Sequence, residues 1–200
     1  SNMTVGRASH VEGWNNKVID NYGHAEGTHN IVGYGAHAEG ALNKALGTNS
    51  HAEGDQTQAI GNYSHTEGTG TKAESSNAHA EGYSTVALGT NSHAEGENTV
   101  ANGINAHAEG GGSIADADNS HAEGWGAKAL SKAAHAEGVA TEAKFGAHAE
   151  GNETKAYGNY SHTEGQSSRA TNDYSHAEGL GTVTTGGASH VQGKYNKYED

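Results

Sequence analysis

A histidine followed two residues later by a carboxylate or its amide recurs fourteen times in this 200-residue chain, and that pairing bounds the chemistry open to it. The histidines are His10, His24, His37, His51, His65, His79, His93, His107, His121, His135, His148, His162, His176 and His190. Each opens a His-small-Glu-Gly motif, with Gln192 replacing Glu in the last copy. Imidazole titrates near neutrality and offers a ring nitrogen to hydrogen bonds or metals. Paired with a carboxylate it suits proton exchange, charge-assisted hydrogen bonding, or a zinc or nickel ion. A dedicated metal centre has no need of fourteen copies, so no metal ion is expected beyond adventitious capture during purification. Catalysis fits worse. A Ser-His pair repeated turn after turn is scaffold, whereas an active site stands out as one departure from the pattern. No catalytic residue and no cofactor is expected, and the chain reads as a non-enzyme.

The departures are few. Trp14 and Trp125 follow the motif glycine, Phe145-Gly146 and Tyr34-Gly35 lie in shortened repeats, and His29 is the one histidine outside the motif. Trp14, Trp125 and Phe145 are weak candidates for ligand contact. The competing reading has them covering a corner or a seam between chains. His29 reads as a solvated corner residue.

The elements that hold these side chains follow from the spacing. Consecutive motif histidines lie 14 residues apart, apart from two steps of 13, His24 to His37 and His135 to His148. With His as position 1, position 2 is small, position 7 mostly Thr, position 9 mostly Ala, and position 14 Ser, Ala or Gly. Position 8 varies freely, through Lys17, Ile31, Gln58, Val86, Glu142 and Arg169. Alternation at period 2 in two short stretches predicts two strands per repeat, small-His-small-Glu-Gly and Thr-x-Ala-x-Gly, with Gly at the corners. A closed turn of ~46 Å contour admits only small side chains inside. Positions 2, 7, 9 and 14 therefore face inward, and His and Glu, of opposite parity, face outward. The expected fold is an all-β parallel solenoid, a single roll over residues 8–200 with atypical end turns, Val11 and Val18 at one end and Val191 and Tyr198 at the other. Residues 1–7 read as a cloning remnant and lead-in.

Composition agrees. Hydrophobic residues are 32% of the chain, Gly numbers 31 and Pro is absent, which without the period would suggest disorder. The net charge of −13 opposes binding to a phosphate backbone, so no nucleic acid partner is expected. Cys is absent, and no apolar run approaches the ~20 residues that cross a bilayer, so no direct membrane contact is expected. Outward residues that merely meet water vary, as position 8 does. Positions 1 and 3 do not, and stacked glutamates repel one another. Either the columns form a solvated ladder on a monomer, or a second copy of the chain compensates them across a symmetric interface.

The string Ser-His-Ala-Glu-Gly followed by x-x-Thr-x-Ala-x-Gly resembles the head repeat of trimeric autotransporter adhesins of the YadA type, usually written Ser-Val-Ala-Ile-Gly at the same period. The resemblance spans residues 8–194. It implies a left-handed parallel β-roll, three of which form a homotrimeric head, with the Val and Ile positions facing neighbouring chains. Here those positions are His24, Glu26, His37, Glu39, His51, Glu53, His65, Glu67, His79, Glu81, His93, Glu95, His107, Glu109, His121, Glu123, His135, Glu137, His148, Glu150, His162, Glu164, His176 and Glu178. An apolar seam has become a titratable one. Such arrays also resemble repeats of prophage-encoded surface or tail proteins. The function implied is a structural or adhesive segment of an extracellular trimeric fibre, on a bacterial surface or a phage virion, whose partners are itself and a host surface or matrix receptor. The alternative is a solenoid binding ions or small ligands through the His and Glu columns. Ice binding, a subtype of it, is disfavoured because Thr has inward parity.

Overall fold

The computed structural model describes residues 1–198, and all their regular structure is β-strand. Two compact units make up the chain, Ser1–Thr99 and Val100–Asp200. In the first, long strands such as His24–Thr28, His37–Ala41, His51–Asp55 and His65–Thr69 pair in parallel, His on His, Glu on Glu and Gly on Gly. Short strands such as Lys17–Val18, Ile31–Val32, Lys44–Ala45 and Gln58–Ala59 form a second parallel ladder. The second unit repeats the plan, with long strands from His107–Gly111 to His190–Lys194 and short strands from Val100–Ala101 to Lys197–Tyr198. Each turn of chain thus adds one strand to each of two sheets, which is a parallel β-solenoid with the expected 14-residue turn. Both 13-residue steps keep register, since His24 pairs with His37 and His135 with His148.

The interior is as narrow as the contour requires. Position 2 (Ala52, Ala80, Ala122), position 7 (Thr57, Thr85, Thr141) and position 9 (Ala59, Ala87, Ala143) are fully buried. Position 14 is buried too away from the ends, and at Ser64, Ser92, Ser120, Ser161 and Ser175 the hydroxyl donates back across the corner, as Ser64 Oγ does to the Gly61 carbonyl at 2.6 Å. Val18 and Val32 are the bulkiest side chains wholly inside. In the first unit Asn16, Asn30 and Asn43 replace Thr at position 7 and form an internal amide ladder. Asn30 Nδ2 donates to the Glu26 and Gly40 carbonyls at 2.6 and 3.0 Å, while its Oδ1 accepts from the Asn43 amide at 2.9 Å. Every polar atom of that buried amide has a partner, which is what makes it tolerable inside.

Three details depart from the sequence-based expectation. Motif Gly is not a corner residue: pairing runs through it to the fifth residue of the long strand. Gly54 has φ +113°, and a Cβ there would lie 2.0 Å from the Gly68 carbonyl oxygen. Glycine is needed because turns stack backbone on backbone at that point. The corners proper are the residues two before each motif His and five after it, where φ is positive, as at Asn49, Gln56, Asn77 and Ser84. Second, the short strand is only two residues, not Thr-x-Ala-x-Gly. Third, Met3–Thr4 pairs with Lys17–Val18, so the ladder already begins within residues 1–7, because main-chain pairing requires no motif. At the ends, Val11 is half-buried against the core and Val191 is buried. The side chain of Tyr198 lies outside the described residues. No helix among the described residues is long and apolar enough to cross a membrane.

Candidate functional site

Pairing in register turns each outward position of the long strand into a column. Within the first unit, imidazole rings from His10 to His93 follow one another at centroid separations of 4.5–4.9 Å. Within the second, rings from His107 to His190 do the same, several within 6° of parallel. The strand repeat sets this spacing, and planar rings on adjacent parallel strands have little alternative to stacking. The neighbouring column carries Glu. His24 Nε2 lies 3.8 Å from Glu26 Oε2, His51 Nε2 3.7 Å from Glu53 Oε2, and His121 Nε2 3.8 Å from Glu123 Oε2. Toward the second unit's end the pairing crosses turns, His176 to Glu164 at 4.0 Å and His190 to Glu178 at 3.8 Å.

Each ring is amphipathic in place. For His37, His51, His65, His79, His121 and His148, Nε2 is shut off from solvent and makes no hydrogen bond within the chain. Yet the His51 side chain as a whole is 37% exposed, and Glu53 beside it 48%. Burial is the largest cause holding His24, His37, His51, His79, His121, His135, His148 and His176 below the ordinary imidazole pKa. Neighbouring histidines add to it, and the glutamates on the same and adjacent turns oppose it. The columns thus set a row of imidazoles beside a row of carboxylates, on one open face of each unit. Such a face can donate and accept hydrogen bonds at every turn.

A profile of the YadA head domain repeat matches residues 45–64, 76–92, 80–106 and 94–115. These segments hold the complete motif, its strands and its buried columns. These turns are similar to the YadA head repeat. Among curated proteins, no sequence matches the chain.

The matched turns have all four interior columns of Ala, Thr and Ser, and the two outward columns are His and Glu. All of the His and Glu positions expected at an interface, from His24 and Glu26 to His176 and Glu178, lie on long strands with outward parity. The aromatic departures lie at the end of the long strands or on the corners. Trp14 and Trp125 are exposed at the last residue of, or a bridge beside, a long strand. The Trp125 ring lies over Gly111 of the turn before, so close that a Cβ there would be 2.4 Å from it. Phe145 heads a file with Tyr160 and Tyr174 at centroid separations of 5.5 and 5.6 Å. His29 is an exposed corner residue with φ +58°, its ring 3.3 Å from Asn15. Away from the columns, a cleft of about 330 Å³ is lined by Glu142, Glu153, Lys155, Ser167 and Arg169. There Lys155 Nζ meets Glu142 at 3.2 Å and the Tyr157 hydroxyl donates to the same carboxylate, which lowers the Glu142 pKa.

Sequence reasoning missed the left-handed corners and the Asn ladder. Both left a signal. Asn or Gly stands two before the motif His in Gly35, Asn49, Asn77, Asn91, Asn105, Asn119 and Gly146, and these are the residues that best tolerate positive φ. Three successive repeats carry Asn at position 7 where later ones carry Thr.

Proposed function

We propose that this chain is a non-enzymatic head segment of an extracellular trimeric fibre, on a bacterial surface or a phage virion, with its His and Glu columns packed against two further copies. One observation carries the reading: an outward face that keeps His and Glu through both units, with Gln192 the one exception, while among the described residues the solenoid interior holds nothing larger than Val, Asn or Thr. At roughly 25 cal/mol per Å² of apolar surface, so small an interior contributes little, and a second buried face adds what the first lacks. Half-exposed imidazoles and carboxylates in register supply complementary donors and acceptors to an identical face. Their role is registry and specificity more than net stability. The YadA head repeat supports the same reading. Trp14, Trp125 and Phe145, exposed on the chain's surface, are candidates to meet a receptor on a host surface or matrix.

The assembly is tested by sedimentation velocity or light scattering at neutral pH and micromolar protein. The expected mass is about three times the 20.4 kDa of one chain. A clean monomer removes the trimer and leaves the columns as a solvated ladder.

A further inference from the structure

The cleft of the second unit lies between two outward columns that carry a carboxylate nowhere else. One wall comes from the first residues of three short strands paired in register, Glu142, Lys155 and Arg169. The other comes from the left-handed corner residues two places before them, Ala140, Glu153 and Ser167, whose φ is +51°, +56° and +55°. Between the walls the chain passes through Thr141, Thr154 and Ser168, which are fully buried. Glu142 and Glu153 are the only carboxylates in these two columns, and Arg169 is the only guanidinium. On the turns to either side the corner residue is glycine, Gly126 and Gly181, so the second wall ends there. In a chain that repeats itself, three successive turns thus depart from the pattern together, and a site is expected to show itself in that way.

Part of this lining is committed and part is not. Lys155 Nζ meets Glu142 at 3.2 Å, the Tyr157 hydroxyl donates to the same carboxylate, and Lys144 Nζ lies 4.7 Å from the centre of the Tyr157 ring, which together fix one side of the cleft. Glu153 accepts from Ser167 Oγ at 3.2 Å through one oxygen and keeps the other open. Among the described residues Arg169 makes no ion pair, although two carboxylates line the same cleft. We propose that the cleft binds one acidic pyranose, a hexuronic acid such as glucuronic acid, with Arg169 on its carboxylate and Glu153 and Ser167 on its hydroxyls. The planar fork of a guanidinium matches a carboxylate through two parallel hydrogen bonds. Neighbouring ring hydroxyls donate to the open oxygen of Glu153, and the Ser167 oxygen accepts from one of them. A volume of about 330 Å³ is at the small end for ligand clefts and suits one sugar ring. The zwitterion of an amino acid also matches one guanidinium and one carboxylate, but it brings no hydroxyls to the rest of the polar lining. Every group lies in one chain and outside the His and Glu columns, so the inference stands apart from the trimer.

The test is a saturation-transfer NMR titration of the full chain at neutral pH, with glucuronic acid, glucose and alanine as probes. Saturable binding of glucuronic acid at millimolar concentration is expected, with glucose at least about tenfold weaker because it has no carboxylate, a factor at the lower end for hydrogen bonds to charged groups. Replacing Arg169→Gln should weaken glucuronic acid by the same factor and bring it level with glucose. Replacing Glu153→Gln should weaken both sugars alike, since it touches only hydroxyls. Lys44→Gln, at the matching exposed position of a short strand in the first unit, should change neither. The comparison of the two sugars on the parent protein needs no variant to fold. Equal binding of glucose and glucuronic acid there, preference for alanine, no saturable binding of glucuronic acid, or an unmoved affinity in a folded Arg169→Gln protein overturns the inference.

Discussion

A histidine in these columns is caught between two environments. Its Nε2 edge is inside the chain's own surface and its other edge is outside, so burial and the next imidazole push its pKa down while nearby glutamates pull it up. Burial wins at His24, His37, His51 and His79, each lowered from 6.5. The consequence has a definite sign. Below 6.5 the unfolded chain takes up protons that the folded one resists, so stability present above that pH is lost as pH falls through the lowered folded values. The groups facing these rings are the neighbours His10, His65 and His93 and the carboxylates Glu26, Glu39, Glu53, Glu67 and Glu95. The thermal midpoint should therefore drop between pH 7.5 and 5.5. In the variant carrying His51→Gln and His79→Gln the drop should be smaller. A midpoint that rises on acidification would mean that attraction to Glu outweighs burial.

The element is where sequence and structure agree most closely, and the reason is steric. A turn of two strands and two corners has so little space inside that inward parity is printed as Ala, Ser and Thr. Leu at Ala59, fully buried between Ala45 and Ala73, should cost about 1–3 kcal/mol or more through overpacking. Leu at the adjacent Gln58, which faces outward, should be close to neutral. Chemical denaturation of the two variants checks this, and equal tolerance would invert the assigned faces. What the residues did not reveal is where the chain bends. Tyr63, Leu42 and Ala140 adopt positive φ with no composition to announce it, because the surrounding ladders impose the corner on whatever side chain is there. Of the two roles open to the motif glycine, a bend or a close approach of backbones, the structure shows the second. The site was legible as two columns because parity separates them from the core. Which histidines approach most closely was not, since a few tenths of an ångström between rings leaves no mark in a repeated motif.

At the scale of the molecule, every turn binds mainly its neighbours, so the ends differ from the middle. The last long strand, His190–Lys194, is exposed on its outward side, and Gln192 there donates to Glu178 at 3.2 Å in place of a like charge. Deleting residues 189–200 should uncover an unguarded edge and produce fraying or aggregation, visible in light scattering. Excising residues 65–78, one whole turn, should leave a folded protein with unchanged β-type circular dichroism. The reverse pattern would refute modular stacking.

The two shortened turns lose their residue in the same place, between the short strand and the next long one, at Gly33–Tyr34–Gly35 and Lys144–Phe145–Gly146, and the ladders on either side do not slip. In each unit length variation is thereby confined to one corner of the turn, that seam alone, while the ladders behave as fixed rails. A lineage can lengthen, trim or decorate that seam without renegotiating the fold. The aromatic file that starts at Phe145 lies on it, so the surface most open to change is also one that carries exposed rings for recognition.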